Sequence, residues 1–76
     1  MVLKEAIKWM FDFGYSNDEC HFYFGEIVAS VLPATINIKG PNFVFSVDSN
    51  YEIVDVTKGN IDDFILLVSK YDFAER

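Results

Sequence analysis

Cys20 and His21 are the side chains best suited to nucleophilic or metal chemistry, and each is the only residue of its type in the chain. Because they are adjacent, they point about 100° apart on a helix, or to opposite faces of a strand. They could not readily form the pair of nucleophile and general base that such catalysis requires. One cysteine and one histidine also cannot complete a four-ligand zinc site or form a disulfide within one chain.

The adjacent acids Asp18-Glu19 and Asp62-Asp63 are the other candidates, since paired carboxylates can carry out acid–base catalysis when one of them is buried. Both pairs lie at predicted helix starts, where the helix dipole stabilises negative charge, so capping is the favoured interpretation. Asp18, Glu19 and His21 have no recognised metal-ligand spacing, and the chain contains no phosphate-binding glycine motif. We predict a protein that is not an enzyme and that uses no metal and no cofactor.

A helix is predicted over residues 2–13, where apolar side chains recur at helical spacing. Gly14 follows at the position where a glycine with positive φ commonly ends a helix. The next element is ambiguous. Ser16 and Glu19 fit a capping box, which predicts a second helix over residues 20–32. A strand or hairpin is the alternative, because His21-Phe22-Tyr23-Phe24 favours strands and Gly25-Glu26 could form a turn.

A three-stranded antiparallel meander is predicted next, from alternating residues in 34–39, in 43–47 and from Tyr51 onward. A three-residue loop with Asn50 in the left-handed region would pair Val47 with Tyr51. Because apolar residues fall on both faces, we expect both faces of the sheet to be at least partly covered. A final helix over Ile61–Tyr71, capped by Asn60, should pack on the sheet. The expected fold is one small acidic α+β domain over residues 1–76.

The charge balance restricts the partner. The chain has 12 acids and 6 bases, a formal net charge of −6, and 51% hydrophobic residues. Nucleic acids and acidic membranes are disfavoured, because binding to them depends on lysine and arginine. A protein with a basic surface is the natural complement. No signal-peptide features precede residue 6, and no apolar run approaches the roughly 20 residues that span a bilayer, so we expect a soluble cytoplasmic protein.

The aromatic residues predict where such a partner binds. One Trp, four Tyr and eight Phe cannot all be enclosed in so small a core, since each buries roughly 150–250 Å². Aromatic side chains left at the surface tend to mark interaction sites. Residues 9–38 contain acids but no Lys or Arg. The predicted protein-binding residues are Trp9, Phe11, Asp12, Tyr15, Asp18, Glu19, Phe22 and Glu26.

This profile is similar to that of many phage and mobile-element proteins that bind and block a larger host machine, and to that of immunity proteins and antitoxins. The resemblance concerns the profile and rests on no motif. It implies an inhibitor that occludes a basic functional site on a host protein. A homodimeric structural or regulatory protein is the alternative. A winged-helix-like DNA-binding regulator is disfavoured because its recognition helix would be acidic, and mimicry of nucleic acid would need a denser array of carboxylates.

Overall fold

Along the described part of the chain, one helix precedes and one helix follows a six-stranded sheet. The computed structural model describes residues 2–16, 18 and 20–75, and residues 72–75 are described only as part of their helix. The elements are α1 Leu3–Phe13, β1 Tyr15–Ser16, β2 His21–Phe24, β3 Ile27–Val31, β4 Ile36–Lys39, β5 Val44–Val47, β6 Ile53–Lys58 and α2 Ile61–Glu75. Each strand pairs antiparallel with its chain neighbour, so the sheet order is β1-β2-β3-β4-β5-β6.

The predicted second helix is wrong, because residues 21–31 form the β2–β3 hairpin. Gly25 and Glu26 make its two-residue turn, and Gly25 has a φ of 58°, which a glycine adopts without strain. Burial on β3 alternates at its start, with Ile27 and Ala29 buried and Val28 only half-buried. The strand preference of the aromatic run therefore prevails over the helical spacing.

The predicted three-stranded meander is also wrong, since the hairpin contributes two further strands and β1 a third. The α+β class is right in outline, with a helix at each end of the chain. The carboxamide oxygen of Asn60 accepts a hydrogen bond from the amide of Asp63 at 3.0 Å, which is the predicted cap of α2.

Both helices pack on the same face of the sheet. Ring centroids of Trp9 and Phe24 are 5.2 Å apart, and those of Phe64 and Phe45 are also 5.2 Å apart. The buried core consists of Ala6, Ile7, Met10, Phe24, Ile27, Ala29, Ile38, Phe43, Phe45, Val47, Phe64 and Val68. These side chains join α1 and α2 to strands β2–β5 in one apolar cluster.

The opposite face is mixed in polarity and none of its described side chains joins the core, which corrects the expectation that both faces are at least partly covered. Directly paired residues on neighbouring antiparallel strands share a face, so the register gives this face two rows across the sheet. The first row is Tyr15, Tyr23, Val28, Lys39, Val44 and Lys58, and the second is His21, Ser30, Asn37, Ser46 and Asp55. Such alternation is usual for an antiparallel sheet with one solvated face.

The β5–β6 turn is two residues longer than the predicted three-residue loop, since it spans residues 48–52. Tyr51, not Asn50, lies in the left-handed region, with a φ of 64°. The Asp48 carboxylate accepts hydrogen bonds from the amides of Asn50 and Glu52 at 2.8 and 3.1 Å, which holds the turn closed. As a consequence Val47 pairs with Ile53 rather than with Tyr51.

The positive φ of Tyr51 predicts an unusual order of stability. For a residue with a Cβ, the left-handed region costs about 1–2 kcal/mol, whereas glycine avoids that cost. Both Tyr51→Gly and Tyr51→Ala lose the stacking of Tyr51 on Phe11, whose ring centroids are 6.3 Å apart. We therefore expect the glycine variant to be more stable by about 1 kcal/mol in urea unfolding, although glycine is usually the less stable of the two. A more stable alanine variant would exclude strain at this turn.

Candidate protein-binding surface

The aromatic edge is the group of exposed rings beside β1, formed by Phe13, Tyr15 and Tyr23. Their exposed fractions are 59%, 63% and 39%. Tyr15 and Tyr23 are cross-strand partners on the uncovered face of the sheet. Phe13 is the last residue of α1, on the covered side of the sheet. It packs on Trp9, with ring centroids 4.3 Å apart. The aromatic edge therefore presents rings on both sides of one margin of the sheet.

Gly14 brings α1 and β1 close enough to form this edge. Its φ of −76° and ψ of 170° are extended, so the prediction of a positive φ is wrong. A Cβ at this position would lie 2.5 Å from the carbonyl oxygen of Met10 and 3.3 Å from that of Tyr23. Glycine is therefore required here by the close approach of two backbone segments.

Of the predicted aromatic site residues, Tyr15 belongs to the aromatic edge, whereas Trp9, Phe11 and Phe22 are half-buried. Trp9 contacts Phe24 of the core, and the rings of Phe11 and Phe22 meet edge to face at 4.8 Å. Trp9 supports the exposed ring of Phe13, whereas Phe11 packs on Phe22 and on Tyr51.

Phe13 and Tyr23 are the exposed aromatic residues that the sequence did not single out. Phe13 fits the apolar spacing of α1, which would place it towards the core, yet it lies in the last turn of the helix and is 59% exposed. Tyr23 becomes recognisable once residues 21–24 are read as a strand. Phe22 and Phe24 then point to one face, and Tyr23 must point to the other.

Asp18 organises the connection between β1 and β2. Its carboxylate accepts hydrogen bonds from the amides of Cys20 and His21 at 2.7 and 2.8 Å, and lies 3.3 Å from the imidazole Nδ1 of His21. The hydroxyl of Ser16 donates to the carbonyls of Asp18 and His21. The polar residues that were expected to cap a helix thus close a turn.

These hydrogen bonds, led by the one from the Cys20 amide, lower the pKa of the Asp18 carboxyl below its ordinary value of 3.8. A lowered pKa in the folded state stabilises the turn at pH values above 3.8, and this contribution is lost as the pH falls through the folded value. We expect the Asp18 carboxyl to titrate below 3.8 when followed by NMR.

A matched variant separates the causes of this shift. His21→Ala removes the imidazole but keeps both amide donors, so the pKa of Asp18 should rise and still remain below 3.8. A midpoint at or above 3.8 in the parent protein would contradict the hydrogen-bonded turn.

The predicted acidic residues are scattered and do not form one patch at the aromatic edge, since Glu26 lines a cleft with Asp63 and Leu66 of α2. Asp12 is exposed near the end of α1, and Glu26 is exposed in the β2–β3 turn. Asp18 lies at the opposite end of β2 from Glu26, roughly 13 Å away along a strand of four residues. Glu19 lies outside the described residues.

Little of the acidic charge is neutralised locally. Across the described part of the chain the ion pairs are Lys4–Glu52 at 3.7 Å and His21–Asp18 at 3.3 Å, and the latter is ionic only when His21 is protonated. Asp12 and Glu26 form neither of them. The exposed acids Asp12 and Glu26 therefore contribute a negative electrostatic potential at the surface.

Among the described residues, the side chains of Cys20 and His21 form no hydrogen bond with each other. Cys20 is exposed, and His21 is turned towards Asp18. Within the described ranges, no three His, Cys, Asp or Glu side chains are grouped so that they could hold a metal ion. Open clefts of about 260 Å³ lie beside Leu66 and beside Tyr51, both away from Cys20 and His21.

Neither helix in the described residues is long and apolar enough to cross a bilayer. Comparisons with known protein families, with curated proteins and with solved structures give no significant match. The functional argument therefore depends on the surface of this chain alone.

Proposed function

We propose that this protein is a non-enzymatic binding module that acts in the cytoplasm and uses the aromatic edge to bind a protein with a basic surface. The observation that carries the proposal is the exposure of Phe13, Tyr15 and Tyr23 at one margin of the sheet. Tyrosine and other aromatic side chains supply much of the energy at protein interfaces, because they bury large areas with few rotatable bonds.

The support that Trp9 gives to Phe13 makes the aromatic edge suited to binding. Phe13 is held by Trp9, and Trp9 is held by Phe24 of the core. Strand pairing holds the backbones of Tyr15 and Tyr23 and sets their rings side by side on one face. Rings positioned in this way lose little conformational entropy when a partner covers them.

The charge supports a basic partner. The formal net charge is −6, and Asp12 is exposed next to Phe13 of the aromatic edge. Opposite charge on a partner accelerates the encounter, and salt weakens that effect. Occlusion of a basic functional site on a larger protein is the mode of action that this combination favours.

The test is affinity capture from a lysate of the cells that encode the chain, at low and at high salt. We expect at least one retained protein with a basic surface, bound more rapidly at low salt. Asp12→Lys should lower the association rate by about three- to tenfold, since rim charges act mainly on the encounter.

Asp62→Lys is the matched control, because Asp62 is also exposed and the substitution changes the net charge by the same amount. It lies in the first turn of α2, roughly 14 Å along the helix from Tyr71, whose ring contacts Phe24 of β2. The electrostatic part of the proposal would be contradicted if both charge reversals changed the association rate equally. It would also be contradicted if capture did not depend on the salt concentration. No specific capture at low salt would contradict the proposal as a whole.

A further inference from the structure

The opposite margin of the sheet, strand β6, is exposed along its whole length. Every residue from Ile53 to Lys58 is exposed, and β5 is its neighbour on one side only. Ile53, Val54 and Val56 remain 48%, 56% and 41% exposed. An edge strand with unpaired backbone groups and apolar side chains is a template for pairing with another strand.

The β-bulges of β6 give this edge a specific charge pattern. Asp55 pairs with Ser46 and Lys58 pairs with Val44, while Val54 and Thr57 have no Cα partner on β5. Ser46 and Val44 are two residues apart and share a face, so Asp55 and Lys58 also share a face. In a regular strand, residues three apart would point to opposite faces.

We propose that two copies of this chain pair antiparallel through β6, with Asp55 of each copy opposite Lys58 of the other. The two-fold axis then lies between residues 56 and 57. The Asp55 carboxylate also accepts a hydrogen bond from the Thr57 hydroxyl of its own copy at 3.4 Å. Because the axis makes the contact reciprocal, one opposite-charge pair becomes two. Opposite charges directly across a strand pair are stabilising, and like charges are destabilising.

The same charges exclude neighbouring registers. Placing Val56 opposite itself sets Asp55 against Thr57 and leaves both charges without a partner. A further shift that sets Val54 against Val56 brings the two Asp55 side chains directly opposite each other, which is unfavourable. Charge complementarity therefore selects both the partner, a second copy, and its register.

This inference is independent of the proposed function, because β1 and β6 are opposite margins of a six-stranded sheet, roughly 24 Å apart. A dimer joined at β6 would form one continuous sheet with an aromatic edge at each end. Such a dimer could bind two sites on a partner assembly, and its avidity would exceed the affinity of a single edge.

The pairing is tested by reversing the charges at positions 55 and 58 and measuring dimerisation by sedimentation velocity at micromolar concentration. The parent protein should be dimeric. Asp55→Lys alone and Lys58→Asp alone each set like charges opposite one another, and each should weaken dimerisation by roughly tenfold or more. The double variant Asp55→Lys/Lys58→Asp restores both pairs and should recover the parent association.

An equimolar mixture of the two single variants provides the strictest control. In the heterodimer the lysine introduced in one copy faces the aspartate introduced in the other, and the two unchanged side chains, Lys58 and Asp55, also face each other. The mixture should therefore dimerise more tightly than either component alone. Both positions are exposed, and thermal melts will show whether either variant is destabilised.

Two results would overturn the proposal. A monomeric parent protein would show that the bulges and Lys58 protect the edge from pairing. A dimer unaffected by the charge reversals would overturn the register and place the contact elsewhere.

Discussion

Phe64→Ala is expected to lower the free energy of unfolding by about 3–5 kcal/mol, which is the usual cost of removing a buried phenylalanine ring. Phe64 is 0% exposed, and its ring contacts those of Phe43 and Phe45 at centroid distances of 5.7 and 5.2 Å. It is the side chain through which α2 packs on β5. A domain of 76 residues has roughly 4–11 kcal/mol of total stability, so this loss would be a large part of it.

The control for this prediction is Leu66→Ala on the same helix. Leu66 is 67% exposed, so its truncation should change the stability by no more than about 0.5 kcal/mol. Urea unfolding followed by circular dichroism gives both values. A Phe64→Ala protein within about 1 kcal/mol of the parent would show that α2 does not rely on this contact.

Replacement of Tyr15 and Tyr23 by serine is expected to reduce affinity for the captured partner by about 100-fold or more. Interface tyrosines that act as hot spots contribute about 2 kcal/mol or more each when truncated, and tenfold in affinity corresponds to about 1.4 kcal/mol. Both side chains lie on the solvated face of an edge and a neighbouring strand, with exposed fractions of 63% and 39%. The fold should therefore tolerate the change.

Leu66→Ser tests whether the loss is specific to the aromatic edge. Leu66 is as exposed as Tyr15, and it lies on α2 away from β1. Its replacement should leave affinity unchanged within about twofold, which is the ordinary scatter for a residue outside an interface. If Leu66→Ser weakens binding while the tyrosine variant does not, the partner binds near α2 instead.

Both terminal helices could be predicted from the sequence. The apolar spacing identified α1 within one residue at its start, and Asn60 identified the start of α2. Residues 20–32 could not be assigned in the same way, because a short apolar run fits both periods. Ser16 and Asp18 added to the ambiguity, since hydrogen bonds that would cap a helix also close the β1–β2 turn.

The faces of the sheet could be predicted only in part. Val54 and Val56 suggested a second apolar face, but the bulges turn Val56 to the side of Phe45. Bulges and a tyrosine with positive φ leave no clear local pattern, so the register of β6 depends on tertiary packing. The predicted site was near the exposed rings, yet the choice among them required the strand alternation of β2.

The most direct test of the binding proposal is amide hydrogen exchange of the chain alone and in complex with the captured partner. The proposal predicts slower exchange across residues 13–24 in the complex, and no change in the first turns of α2. Protection confined to α2, or absent from residues 13–24, would contradict the assignment of the aromatic edge as the binding surface.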